Sequence, residues 1–282
     1  MKKENYMHEG YQQCFIDGKR TECNAFIMLI QSYLKEIKLL KPYLLIIITA
    51  VSITYSLFFL CADELTIVLF REDGFFEWMT AALFLVSSGI FFLTFLRTKN
   101  VFLLGLAFIF IVGAGEEISW GQRLFNLNTP DWIQNVNVQQ EINIHNLEIF
   151  NDRNLEGVKK TGLQRLVEIN MLFRIFSMFF CILLPLFFFH IKPKFAVNKK
   201  FQIPVAPVTI GIFFFISWAI FYLLKYAILP RGKIIEYYLT IGEVFEFTAA
   251  LVYLLIAIYF FREKDDNFLG KDIKQWMIDD KL

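Results

Sequence analysis

The sequence predicts an all-α integral membrane bundle of about six transmembrane helices. Hydrophobic residues make up 56% of the 282-residue chain and charged residues only 20%, whereas about a quarter of a soluble domain is charged. The apolar residues are also gathered into long unbroken runs, and a helix that spans a bilayer needs about 20 largely apolar residues. Six stretches reach or approach that length: Tyr43–Ala62, Phe75–Leu96, Val101–Trp120, Val167–Ile191, Ala206–Leu229 and Tyr237–Phe261.

The segment ahead of the first span is more polar. Ala25–Leu40 mixes apolar residues with charged ones, which is typical of an amphipathic helix on the membrane surface rather than of a span. We therefore expect a cytoplasmic tail with this helix (1–42), a six-helix transmembrane domain (43–261) and a cytoplasmic C-terminal tail (262–282).

Lysine and arginine are unequally distributed between alternate connections. The N-terminal tail, the connections after the second and fourth spans, and the C-terminal tail carry 7, 2, 4 and 5 of them, whereas the opposite connections carry 1, 5 and 2. Cytoplasmic segments are enriched in these residues, so a multi-pass protein of the cell membrane with both termini in the cytoplasm is predicted. Residues 121–166 then form one long extracytoplasmic loop, which contains a helix-start signal at Thr129-Pro130-Asp131.

The third span ends in two adjacent carboxylates, Glu116 and Glu117. Its apolar part, from Val101 to Ala114, covers only ~21 Å at ~1.5 Å per residue, short of the ~30 Å hydrocarbon core. The helix is therefore expected to continue through both glutamates to Trp120, an interfacial anchor. Ionisable residues at such depth are costly and usually mark a site. The alternative is that this span is short and that the pair lies in water.

Other spans carry acidic residues at comparable depth. Glu243 and Glu246 are three residues apart in the sixth span, and this spacing puts them on one helical face. Buried carboxylates need a cation, a proton or hydrogen-bond donors, and ion pairs with Arg174 or Lys225 are the structural alternative. Glu77 lies about one turn into the second span, where the helix dipole already favours a negative charge.

The long loop contributes Glu141 and His145, whose spacing of four puts them on one face of either a helix or a strand. An ordinary surface histidine is an equally good interpretation of His145. The candidate residues nevertheless all map to the outer half of the predicted bundle. They are Glu72, Glu77, Glu116, Glu117, Glu141, His145, Arg174, Lys225, Glu243 and Glu246.

Several carboxylates and one imidazole are typical ligands of a divalent metal such as Zn²⁺, Mn²⁺ or Fe²⁺, and a bound metal would activate water for hydrolysis. We predict catalytic roles for Glu116, Glu117 and His145. Arg123 suits bidentate binding of a phosphate or carboxylate, and we place Gln122 and Arg174 beside it as substrate-binding residues. The predicted metal ligands are Glu77, Glu117, Glu141, His145, Glu243 and Glu246.

These residues favour a metal-dependent hydrolase or transferase acting on a lipid or lipid-linked substrate at the outer leaflet. A proton- or cation-coupled transporter is an alternative, although the charges occupy one half only and no inverted repeat is visible. A structural or partner-binding protein with an ion-paired polar core is another. No basic stripe interleaved with aromatic residues points to nucleic acid.

Three strings also resemble a group of uncharacterised bacterial multi-pass membrane proteins. They are GEEISWGQR (Gly115–Arg123), EDG-x-x-EW (Glu72–Trp78) and N-x-Q-x-E-x-N-x-HN (Asn137–Asn146). The resemblance extends roughly over residues 72–246, excludes the N-terminal tail, and is most specific in the central string. It implies a shared architecture and a shared polar site, but no reaction.

Overall fold

The computed structural model describes residues 11–16, 19–60, 63–71, 74–190, 201, 203–228 and 235–262. The predicted C-terminal tail, beyond its first residue, and the candidate Glu72 lie outside these ranges. The chain divides into two compact units, one ending at Pro42 and the other beginning at Tyr43.

The first unit contains a hairpin that the sequence pattern did not predict. Strand β1 (Tyr11–Ile16) pairs in antiparallel fashion with β2 (Lys19–Asn24), and Tyr11 lies opposite Asn24. Helix α1 follows directly.

Helix α1 runs without a break from Ala25 to Leu60, with Pro42 inside it. No break therefore separates the predicted surface helix, Ala25–Leu40, from the predicted span that begins at Tyr43, although the boundary between the two compact units falls at this place. Proline removes one backbone donor and often kinks a helix. Here the flanking residues are apolar or good helix formers, and neither a glycine nor a capping residue is present to end the helix.

The second unit contains the remaining helices. They are α2 (Asp63–Phe70), α3 (Phe75–Thr98), α4 (Val101–Glu117), α5 (Asp131–Gln134), α6 (Ile169–Met178), α7 (Leu184–His190), α8 (Val208–Leu223) and α9 (Ile235–Arg262). A π-helical turn, Phe179–Leu183, joins α6 to α7, and a second one, Leu224–Ile228, extends α8. Short 3₁₀ turns lie at Ser119–Gly121 and Gly162–Val167.

Five helical stretches are long and apolar enough to cross a membrane, counted over the described residues. They are Ile37–Leu60, Glu64–Thr98, Ile169–Phe188, Val208–Tyr226 and Ile241–Arg262. The predicted helical, bilayer-compatible architecture is thus confirmed. Helix α4 has 17 residues and is about 25 Å long at ~1.5 Å per residue, so the count of six spans stays a prediction.

Helix α3 packs against α4 in antiparallel fashion. The Ser88 hydroxyl donates to the Ala107 carbonyl at 2.7 Å, and the rings of Phe84 and Phe110 lie 5.6 Å apart. The numbering rises along one helix as it falls along the other, so the end of α4 lies beside the start of α3.

Helices α3 and α9 run parallel. The ring of Phe76, in the first turn of α3, is 5.1 Å from that of Phe247, near the middle of α9. At the ends of the two helices, Arg97 Nη1 donates to the Phe261 carbonyl at 2.8 Å. The start of α3, the end of α4 and the first half of α9 therefore meet at one end of the bundle.

Helices α6 and α8 approach each other so closely that only a glycine fits between them. A Cβ atom on Gly211 would lie 1.8 Å from the carbonyl oxygen of Cys181 in the π-helical turn after α6. Further along, the Arg174 guanidinium lies over the ring of Tyr222. These two helices are also antiparallel, and the Phe221 and Phe245 rings, 5.0 Å apart, join α8 to α9.

The loop 121–166 is built from turns, bridges and one short helix. Helix α5 begins at Asp131, as the helix-start signal predicts, but the Thr129 hydroxyl donates to the Gln140 carbonyl at 2.6 Å instead of capping the helix. Isolated β-bridges pair Asn137 with Leu147 and Arg153 with Lys159.

Candidate functional site

The end of α4 is marked by a left-handed turn. The φ angles of Ser119, Trp120 and Gly121 are 45°, 53° and 78°, and positive φ is uncommon for residues other than glycine. The predicted continuation of the helix to Trp120 is therefore wrong, because the helix ends at Glu117. Backbone strain of this kind persists only when surrounding contacts impose it, and it concentrates at functional sites.

The side chain of Trp120 folds back onto the last turn of α4. Its indole N–H donates to Oε1 of Glu116 at 2.6 Å. A Cβ atom on Gly115 would lie 2.8 Å from the indole ring, so a glycine at this position is what allows the ring to lie there.

Glu116 fastens the loop 121–166 to the helix. Its Oε2 accepts hydrogen bonds from the backbone N–H groups of Ile144 (2.6 Å) and His145 (2.8 Å). The Nδ1 atom of His145 lies 3.4 Å from the same oxygen. Together with the bond from Trp120, these contacts engage both oxygens of Glu116, so the predicted catalytic residue acts first as an anchor.

The pairing with Glu116 also sets the protonation of His145. Burial favours the neutral imidazole, but the hydrogen bond to Glu116 and the charges of Glu116, Glu246 and Glu141 outweigh it and raise the pKa of His145 above its ordinary value of 6.5. A charged His145 therefore strengthens the attachment of the loop.

Glu141 forms a second fastening point. Its Oε2 accepts hydrogen bonds from the Ser119 hydroxyl and the Asn143 amide, both at 2.8 Å, and its Oε1 pairs with Arg123. The segment around Glu141 and His145 consists of bends and turns. Their predicted common face on a helix or strand is therefore wrong.

Gln122, predicted to bind substrate together with Arg123, forms a third fastening point. Its Oε1 accepts from the Ile142 N–H at 2.6 Å, and its Nε2 donates to the Thr129 hydroxyl at 2.6 Å. Both predicted substrate-binding residues of the central string thus have partners inside the protein. Sequence reasoning missed Ser119, Trp120 and Asn143 as members of this network, although all three lie within the strings that carry the resemblance.

Glu117 differs from its neighbours in the string. Its carboxylate interacts electrostatically with Glu246 on α9 and Glu77 on α3, as well as with Glu116. Within the part of the chain that the structure describes, its side chain takes part in no hydrogen bond or ion pair with another residue. Glu77 on α3 and Glu246 on α9 are therefore each near enough to interact with Glu117 at the end of the bundle that the loop adjoins; we call Glu77, Glu117 and Glu246 the acidic cluster.

Cations lie next to the acidic cluster. The Lys225 ammonium interacts electrostatically with Arg174, Lys159, Glu246 and Asp152. Glu246 thus belongs both to the acidic cluster and to the surroundings of these cations. Glu243, one turn earlier on α9, is half-buried, and its Oε2 is shielded from solvent.

Five of the six predicted metal ligands, all but Glu243, separate into two groups. His145 and Glu141 hold the loop, whereas Glu77, Glu117 and Glu246 form the acidic cluster on the helices. Among the described residues, no three His, Cys, Asp or Glu side chains stand ready to hold one metal ion.

Comparison with known proteins does not identify the chain. No family model, curated protein or solved structure matches it.

Proposed function

We propose that the chain is a six-span enzyme of the bacterial cell membrane, a hydrolase or transferase, with both termini in the cytoplasm and its site at the outer face. Its substrate is a lipid or a lipid-linked molecule. The observation that carries the proposal is the acidic cluster, in which α3, α4 and α9 each contribute one carboxylate to the same end of the bundle. Ionisable residues inside membrane-spanning helices are energetically costly, and they usually mark a functional site.

A divalent cation is the ligand that this cluster suits best. Carboxylates on separate helices repel one another, and a bound Zn²⁺, Mn²⁺ or Fe²⁺ would offset that repulsion and activate a water molecule. Binding requires the three side chains to rotate toward a common point, because their present positions do not form a ligand set. Glu117 then acts as a ligand or base, and His145, which interacts with Glu246, as the acid–base partner.

Metal analysis of the purified full-length chain tests this proposal. We expect about one metal ion per chain, lost in Glu117→Gln and Glu246→Gln and retained in Glu156→Gln, a matched control because Glu156 is exposed in the loop. Absence of stoichiometric metal from the purified wild-type chain would rule the metal-dependent enzyme hypothesis out.

A proton- or cation-coupled transporter is the second candidate. Glu246 interacts with both Glu117 and Lys225. A proton or cation bound at Glu246 would therefore change the electrostatic potential at both of these residues. Transport predicts an ion-dependent flux in liposomes that contain the protein, and Glu246→Gln should abolish it. The absence of any flux through the wild-type protein would count against transport.

A further inference from the structure

We propose that Arg174 and Lys225 bind a phosphate group carried by the lipid or lipid-linked substrate. The proposal names the substrate class and rests on the proposed function for the reaction, but the binding itself is independent of any metal. It replaces Arg123 as the substrate-binding cation, since Arg123 pairs with Glu141.

The two cations converge on the last turn of α8. The guanidinium carbon of Arg174 lies 5.6 Å from the ring centre of Tyr222, and Lys225 Nζ lies 5.4 Å from that of Phe221. Tyr222 and Phe221 are adjacent, and Lys225 follows Tyr222 by three residues. Aromatic faces stabilise cations, so both charges are held at the same level of the bundle.

The local backbone also departs from a regular helix. Lys225 lies in the π-helical turn Leu224–Ile228, and Arg174 precedes the π-helical turn Phe179–Leu183 by five residues. Single π-helical turns inside helices occur frequently at functional sites.

An anion suits this place for electrostatic reasons. Lys225 interacts with the like charges of Arg174 and Lys159, and with the opposite charges of Glu246 and Asp152. Like charges near one another repel, and a bound phosphate would offset that repulsion. The planar fork of arginine matches two phosphate oxygens, and lysine adds a point charge.

The surroundings favour a phosphate attached to a lipid. Three side chains within two residues of the cations in the sequence are exposed: Ile175 is 51% exposed, Leu223 58% and Tyr226 53%. Tyr226 also stacks on Tyr222 with ring centres 5.7 Å apart. Aromatic rings of this kind collect at the headgroup level of membranes, where acyl chains would cover the apolar surface and the headgroup would reach the cations.

Binding of short-chain lipids to the full chain in a neutral maltoside detergent with EDTA tests the proposal. The probes are dihexanoyl phosphatidic acid, dihexanoyl glycerol and inorganic phosphate, and the readout is the dissociation constant for the folded, monodisperse fraction. The variants are Arg174→Gln, Lys225→Gln and the milder Arg174→Lys. Lys99→Asn is the control, since it removes one charge after α3, at the opposite end of the bundle.

We expect phosphatidic acid to bind wild type and Lys99→Asn alike, and each glutamine variant at least about tenfold more weakly, as the loss of a charge-assisted hydrogen bond predicts. Arg174→Lys, which keeps the charge but not the fork, should be intermediate and provides the test if a glutamine variant does not fold. If inorganic phosphate binds as tightly as phosphatidic acid, the phosphate site is supported and the lipid as its ligand is contradicted. Equal binding of dihexanoyl glycerol, or unchanged binding in the variants, would overturn the proposal.

The lipid-binding experiment can fail or succeed independently of the metal analysis that tests the proposed function. Glu117→Gln should retain phosphatidic acid binding in EDTA even though it loses metal. A chain that binds the lipid but no metal would refute the enzyme proposal alone.

Discussion

The backbone N–H of His145 donates a hydrogen bond to the carboxylate of Glu116 at 2.8 Å, across 29 positions of the chain. The next residue along the helix, Glu117, instead interacts with carboxylates on α3 and α9. Successive residues of an α-helix are rotated by about 100°, so two adjacent glutamates face different surroundings. Glu116 holds the loop, and Glu117 joins the acidic cluster.

Replacing Glu116 by glutamine should destabilise the protein. The change keeps the size of the side chain but removes the charge that pairs with His145, and it weakens the acceptor of two backbone N–H groups. We expect a loss of about 1–3 kcal/mol in the free energy of unfolding, measured by thermal or denaturant unfolding in detergent. Glu156→Gln in the same loop should leave stability unchanged, and equal stability of both variants would contradict the anchoring role.

Replacing Glu117 by glutamine should have the opposite effect on stability. The neutral amide relieves the repulsion with Glu77 and Glu246, and removing one of several like charges stabilises a folded chain. The melting temperature in the absence of metal should therefore stay the same or rise, while metal binding and function are lost. A marked fall in the melting temperature would show that Glu117 is a structural partner.

Stability should fall as the pH rises through neutrality. The pKa of His145 is raised in the folded protein by Glu116, and that of the unfolded chain is about 6.5. A raised folded pKa contributes stability that is fully present below the unfolded value and is lost as the pH rises through the folded value. Melting temperatures measured between about pH 5 and pH 9 should show this decline, and His145→Gln should flatten it. An identical profile for wild type and His145→Gln would refute the ion pair.

Replacing Gly115 by alanine should displace Trp120. The new methyl group would lie 2.8 Å from the indole ring, so the ring must move and its hydrogen bond to Glu116 must lengthen. We expect a destabilisation of about 1–3 kcal/mol and a change in tryptophan fluorescence. Gly105→Ala is the matched control in the same helix, because a Cβ atom there meets nothing within 4 Å. That variant should be neutral or slightly stabilising.

The sequence predicts the apolar helices well because each of them requires a long run of apolar residues. Helix α3 begins at Phe75, as the apolar run predicts, and α9 ends at Arg262, one residue beyond the predicted Phe261. Burial in hydrocarbon demands long apolar runs, and each run is visible without knowledge of its neighbours. The joining of α1 across Pro42 was not visible, since it depends on a helix tolerating a proline rather than on a local stop signal.

The sequence predicts which residues are candidates for the site but not how they are arranged. Hydropathy places Glu116 and Glu117 at the end of an apolar run, whereas the direction of each side chain depends on how α4 is rotated against α3 and α9. Ser119 and Trp120 have positive φ angles, and their side chains contact Glu141 and Glu116. Hydropathy and residue spacing predict neither the backbone turn nor these contacts. The metal, the reaction and the resemblance to bacterial membrane proteins stay predictions.

Four residues that hold the loop 121–166 lie in one short string, Gly115–Arg123: Glu116, Ser119, Gln122 and Arg123. Contacts that share so small a base are expected to break together, as one cooperative unit rather than one by one. The amides of Ile142, Ile144 and His145 should then exchange their hydrogens with a single opening free energy. If the acidic cluster is reached from outside, the frequency of that single opening sets an upper limit on how often a substrate can enter.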